Sequence, residues 1–141
     1  MVQSNLSRSR AGVLRGLHFH RSQADYWCFI EGNAFVALVD VRSGSPTEGR
    51  AWWREFDADA GLRGVYVPPG VAHGFYALSD VALQYVVDRA FTGDDEFGVA
   101  FDDPRLAIPW PEQETPMLSE RDRSNPSLAE VLAADPPEFR G

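Results

Sequence analysis

The sequence is poor in four things, and each shortage excludes a class of protein. It has one cysteine, Cys28, so no internal disulfide can form, and the chain fits a reducing, cytoplasmic compartment. Cys28 lies within Tyr26-Trp27-Cys28-Phe29-Ile30, a setting that suits an inert core thiol better than a nucleophile. No window approaches the ~18 uninterrupted apolar residues of a membrane span, and Met1-Val2-Gln3-Ser4-Asn5 lacks the basic-then-apolar pattern of a signal peptide. Basic residues are outnumbered: 13 Lys and Arg stand against 21 Asp and Glu, for a net charge of −8. A surface of that sign is not built to hold nucleic acid, although about two or three local arginines suffice for a small phosphorylated ligand. Helical periodicity, finally, is almost absent before residue 119, and there is no internal repeat.

What is present is a globular composition, 44% apolar and 12% aromatic in 141 residues, enough for one domain with a real core. Short β-rich runs recur between clusters of Gly, Pro, Asp and Ser, which predicts an all-β sandwich or barrel. The expected strands are Gly12–His20, Tyr26–Glu31, Asn33–Arg42, Arg50–Phe56, Gly64–Val67, His73–Ala77, Ala82–Val87 and Gly98–Phe101. Glu31-Gly32-Asn33 suits a tight hairpin, and Pro68-Pro69-Gly70 ends a strand because proline cannot donate to a central ladder. Along Asn33–Arg42 both alternating sets are largely apolar, the pattern of a strand buried on both sides. Asn125-Pro126-Ser127 is expected to open a short helix through about Leu132, with Asn125 as N-cap and Pro126 at its first position. The domain is predicted to span residues 1–134, followed by a loose tail over 135–141.

Chemistry concentrates in Gly12-Val13-Leu14-Arg15-Gly16-Leu17-His18-Phe19-His20. Residues two apart on a strand share a face, so His18 and His20 point one way and Arg15, Leu17 and Phe19 the other. Two imidazoles at a barrel mouth make a base with a neighbour, part of a metal site, or a satisfied polar rim. The third histidine follows a rigid turn in Pro68-Pro69-Gly70-Val71-Ala72-His73, which presents it to a barrel interior.

Several blocks together resemble the dTDP-4-dehydrorhamnose 3,5-epimerase family. They are Gln3 to Ser9 with Gly12 to His18; Val39-Asp40-Val41-Arg42 with Ser45 to Gly49; and Pro69 to Phe75. Phe101-Asp102-Asp103-Pro104, Ile108-Pro109-Trp110-Pro111 and Leu118-Ser119-Glu120-Arg121-Asp122 continue in the family's order. The likeness covers almost the whole chain. It implies a jelly-roll (cupin-type, double-stranded β-helix) barrel, a nucleotide-sugar substrate, no cofactor, no nucleic-acid or membrane partner, and a homodimer. It further implies an isomerase acting on C3, C5 or both of a dTDP-linked 4-keto-6-deoxy sugar. By resemblance His18 is the base, Asp122 holds its imidazole in the right tautomer, and Tyr85 is the acid. Placing Tyr85 requires one deletion near Asp80-Val81-Ala82; without it, Val86 would occupy the position. Arg15, Asn5, His73, His20 and Arg42 are similar to substrate-binding positions, although ideal alternation puts Arg15 on the face opposite His18.

Three departures qualify the likeness. The family's N-terminal arm, which reaches the partner subunit's nucleotide, precedes the block at which this sequence begins, so either the start lies upstream or the nucleotide is bound differently. The family's lysine that aids the enolate is replaced by Asp25, and its glutamine two after the base is His20; aromatic positions near Ala90-Phe91 are half kept. His18-Phe19-His20, Asp25 and Gly32, with Pro68-Pro69-Gly70-Val71-Ala72-His73, resemble instead the metal-binding cupin pattern. A divalent ion such as Fe, Mn, Ni or Zn would then sit on His18, His20, Asp25 and His73. His18 cannot be both ligand and free base; an ion on His20, Asp25 and His73 with His18 left free is a third arrangement. A non-catalytic sugar-nucleotide-binding cupin is the remaining alternative.

Overall fold

The computed structural model describes residues 3–61, 63–90, 92–111 and 115–141; Phe91 lies outside them. Among the described residues nine strands form two antiparallel sheets. They are β1 (Gln3–Ser9), β2 (Leu14–Phe19), β3 (Asp25–Glu31), β4 (Asn33–Asp40), β5 (Ala51–Asp57), β6 (Gly64–Val67), β7 (Val71–Ala77), β8 (Val81–Val87) and β9 (Phe97–Gly98). The four-stranded sheet runs β1-β8-β3-β6 and the five-stranded sheet β5-β4-β7-β2-β9. The predicted jelly roll is the fold.

The apolar pattern explains this layering. Ala34, Val36, Phe56, Phe75 and Ala77 of one sheet pack with Trp27, Phe29, Val81 and Leu83 of the other, filling the space between them. Ala37 and Val39, on the opposite face of β4, join Leu17, Phe19, Val41 and Ala72 beneath Val99, Leu106, Leu128 and Val131. The C-terminal third is therefore a lid over the back of the five-stranded sheet. That is why β4 is apolar on both faces. Gly32 turns the β3–β4 hairpin at φ 77, where a Cβ would also collide with the Asp80 carbonyl.

Several expectations are corrected. β1 was not anticipated, because Leu6 is the one apolar residue in Gln3–Ser9; the strand exists by pairing along its whole length with β8. The last strand shrinks to Phe97–Gly98, since Ala100 instead donates to the Pro126 carbonyl and begins a turn closed by Asp103. A one-turn helix, α1 (Glu120–Arg123), follows Ser119. The final helix, α2, is Leu128–Ala134, capped by Ser127 rather than Asn125. Ser127 and Glu130 form a capping box, satisfying two terminal N–H groups reciprocally. Residues 135–141 are docked, not loose: Ser43 donates to Pro137 O at 2.8 Å, Phe139 donates back to Ser43 O at 3.0 Å, and Arg42 stacks on the Phe139 ring. Cys28 is half-buried, on the β3 face that carries exposed Tyr26 and Ile30, so it is no core thiol. No helix among the described residues is long and apolar enough to cross a membrane.

Asp40 anchors the loop after β4. It accepts from Arg42 Nε and Nη2 at 2.9 and 2.8 Å, and from the Ser45 and Thr47 hydroxyls at 2.6 Å each. Burial alone would raise its pKa, but these donors outweigh burial and hold the carboxyl well below the usual range. A depressed carboxylate stabilises the fold above its unfolded value of about 3.9 and loses that contribution as pH falls further. Asp40→Asn is expected to lower stability by about 2–3 kcal/mol at neutral pH, read as a lower denaturation midpoint at unchanged slope. The difference from the parent should shrink below about pH 4.

Candidate active site

A kink in β2 sets up the site. Arg15 pairs with Phe75 and His18 with His73, so three steps along β2 match two along β7. The extra residue is a bulge, and it switches the facing of everything after it. Gly16 carries the turn at φ 122, where a Cβ would lie 2.7 Å from Gly74 Cα. Before the bulge Leu14 faces the back of the sheet; after it Leu17 and Phe19 do. Arg15 and His18 consequently open onto one cavity, contrary to ideal alternation.

That cavity, about 230 Å³, lies between the two sheets. His18 enters it from the five-stranded sheet, half-buried at 23% side-chain exposure. Its Nε2 lies 2.6 Å from Asp122 Oδ1. A carboxylate can only accept, so Nε2 carries the proton and Nδ1 keeps its lone pair. Asp122 is 4% exposed and also accepts from the Gly16 N–H at 3.2 Å. Burial pushes its pKa up, but the hydrogen bond and charge of His18, with Gly16 and Ser119, pull it below the ordinary value. Ser119 caps α1 and so aims the carboxylate from the far end of the chain. Glu96 reaches within 4.0 Å of His18 Nδ1, and it is itself held by Arg121 at 2.5 Å.

Tyr85 comes from the opposing sheet, on β8, half-buried beside Leu83 in the cavity wall. Val86, the rival position, is absent from that wall. Arg15 also lines it and donates through Nε to Ser9 Oγ at 2.9 Å. Asn5 pairs across β1–β8 with Tyr85 and accepts from Gln3, but Ser7 is the β1 residue in the wall. Arg42 is not brought to the site: Asp40 takes its guanidinium, and it borders a separate cleft that contains no histidine.

Of the four metal-ligand candidates, three converge. Nδ1 or Nε2 of His20 and His73 and a carboxylate oxygen of Asp25 lie within 4.8 Å of one another, all buried. His18 is outside this group because Asp122 holds it, which corrects the four-ligand arrangement. Burial first, against a pull from Asp25, lowers the His73 pKa to about 4, so this imidazole is neutral near pH 7.

Sequence reasoning missed Glu96, Gln23, Trp27 and Ser7 in the wall. Trp27 was within reach of alternation, two residues after Asp25 on β3. Glu96 was not, since the strand it precedes is only two residues long.

Comparisons with known proteins place the chain among its relatives. A family model described as dTDP-4-dehydrorhamnose 3,5-epimerase matches residues 1–130. The dTDP-4-dehydrorhamnose 3,5-epimerase of Mycobacterium tuberculosis (strain CDC 1551 / Oshkosh) is 42% identical over 138 residues, covering 94% of this chain and 68% of its own length. A dTDP-4-dehydrorhamnose 3-epimerase of Streptomyces niveus is 43% identical over 138 residues, covering 95% of this chain and 66% of its own. Among solved structures, NovW of Streptomyces spheroides, a 4-keto-6-deoxy sugar epimerase, superposes with TM-score 0.91 at 40% identity, covering 98% of this chain and 71% of its own. The Legionella pneumophila dTDP-6-deoxy-D-glucose-3,5-epimerase, solved with dTDP-4-keto-L-rhamnose, gives 0.88 at 35% identity over 99% of this chain and 76% of its own. This chain belongs to the dTDP-4-dehydrorhamnose 3,5-epimerase family.

Proposed function

We propose that this chain is an isomerase that epimerises C3, C5 or both of a dTDP-linked 4-keto-6-deoxy sugar. The observation that carries the reading is the His18–Asp122 pair, facing Tyr85 across one cavity. In a 4-keto sugar the carbonyl acidifies the hydrogens on both flanking carbons. His18 Nδ1 takes one of these protons, and the C–H electron pair moves into the carbonyl to leave an enolate at O4. Asp122 keeps the proton on Nε2, so the lone pair is presented to substrate, and its charge offsets the imidazolium that forms. The Tyr85 hydroxyl then delivers a proton to the opposite face of the same carbon, inverting it. The C=C pair takes that proton as the O4 lone pair re-forms the C=O bond, and the two side chains exchange protons with solvent to reset. No redox step occurs.

Arg15, exposed at the cavity and free at its terminal nitrogens of any ion pair among the described residues, suits one end of a diphosphate. A homodimer belongs to this reading too, since β1 is an edge strand with Leu6 57% exposed.

The test is isotope exchange. A dTDP-4-keto-6-deoxy sugar incubated with the protein in D2O is expected to gain deuterium at C3, C5 or both, followed by NMR or mass spectrometry. Folded protein that leaves both carbons unlabelled overturns the reading.

A further inference from the structure

We infer that His20, Asp25 and His73 form a binding site for one divalent transition-metal ion, beside His18 and within the same cavity. Three observations carry it. The first is how each side chain is held from behind. His73 Nδ1 donates to the Val71 carbonyl at 3.0 Å and His20 Nδ1 donates to the Asp95 carbonyl, so both Nε2 atoms keep bare lone pairs. Asp25 accepts from Gln23 Nε2 at 2.8 Å and from Trp27 Nε1 at 3.4 Å. Imidazoles that donate to carbonyls, with a carboxylate steadied by further donors, are the outer support that metal ligands need.

The second is charge. Asp25 is 5% exposed, and among the described residues its one ion-pair candidate is His73. His73 Nε2 stands 3.8 Å from the carboxylate, beyond a direct hydrogen bond. The sequence contains no lysine, and among the described residues no arginine forms an ion pair with Asp25. A buried carboxylate with no cation is costly, and a bound ion removes that cost.

The third is spacing. His73 Nε2 and Asp25 Oδ2 are 3.8 Å apart, too far for a direct hydrogen bond. An ion about 2.0–2.2 Å from each ligand holds its ligands ~3–4 Å apart, so sub-ångström rotations within the observed 4.8 Å close the set. Two imidazoles and one carboxylate leave coordination positions open and suit Zn, Fe, Ni, Mn or Co. Resting on the isomerase reading above, the open positions face the substrate cavity, where the ion would polarise the keto oxygen and hold the enolate charge at O4.

The experiment uses full-length protein without a polyhistidine tag, stripped with chelator and titrated with Co(II) and with Zn(II). One equivalent is expected to bind with a Kd of about 10 µM or tighter, and Co(II) to show visible d–d bands. Asp25→Asn, which preserves shape, and His20→Ala should each weaken binding by about 100-fold or more with the fold retained by circular dichroism. His18→Asn should still bind one equivalent. Less than a tenth of an equivalent bound, or unchanged binding in Asp25→Asn, overturns the site. Chelation is further expected to lower isotope exchange about tenfold or more, restored by metal; binding without any effect on exchange overturns the electrophile role. Stoichiometric binding with no exchange in any form supports the site and fails the isomerase reading instead.

Discussion

His18→Asn is expected to reduce epimerisation and solvent isotope exchange together by about 10²–10⁴-fold, the range lost with a positioned general base. Asparagine is the informative replacement. Its amide lies at the level of Nδ1, short of the Nε2 position that Asp122 Oδ1 holds at 2.6 Å, so the 4%-exposed carboxylate keeps the Gly16 N–H as its partner. What asparagine lacks is the basic nitrogen. Because the imidazole acts on a bond that breaks only in the transition state, kcat should carry the loss while KM stays within a few-fold. An undiminished rate in this variant would sink the assignment of the base. A raised KM at constant kcat would mean that His18 merely binds sugar.

Tyr85→Phe should separate the two half-reactions. The ring remains, beside Leu83 and across from Trp27, so packing changes little. Only the hydroxyl that protonates the second face is gone. His18 can still remove a proton, exchange it with solvent and return a deuteron to the face it came from. Epimerised product is therefore expected to fall by about 10²–10³-fold. Deuterium should still enter the substrate, now with retained configuration. Equal loss of washing-in and inversion would show that the phenol is no acid, or that it acts before the proton leaves carbon.

Much of this was legible from residue order. The double-sided apolar pattern of β4 announced a buried central strand, and the blocks around His18, His73 and Asp122 announced both family and pair. The errors have physical causes. β1 is a strand through pairing with β8 and not through its own side chains, which are nearly all polar. Residue order made Asn125 the cap. The helix instead starts after Ser127, because Glu130 three residues on completes a local capping box. The tail looked loose because its anchor is Ser43, far away in sequence.

Sequence alone determined the layered all-β class, the family and the identity of the three histidines, since these depend on periodicity and on residue types at short spacing. Only the tertiary structure decided which of them cooperate. A one-residue bulge at Gly16 brings Arg15 to the face of His18, and α1 carries Asp122 to Nε2 across 104 positions. The same packing leaves His20 and His73 with Asp25 instead of with His18. Local sequence encodes which face a side chain takes on an ideal strand; the close approach of β2 to β7 alters that facing, and no short window contains both strands.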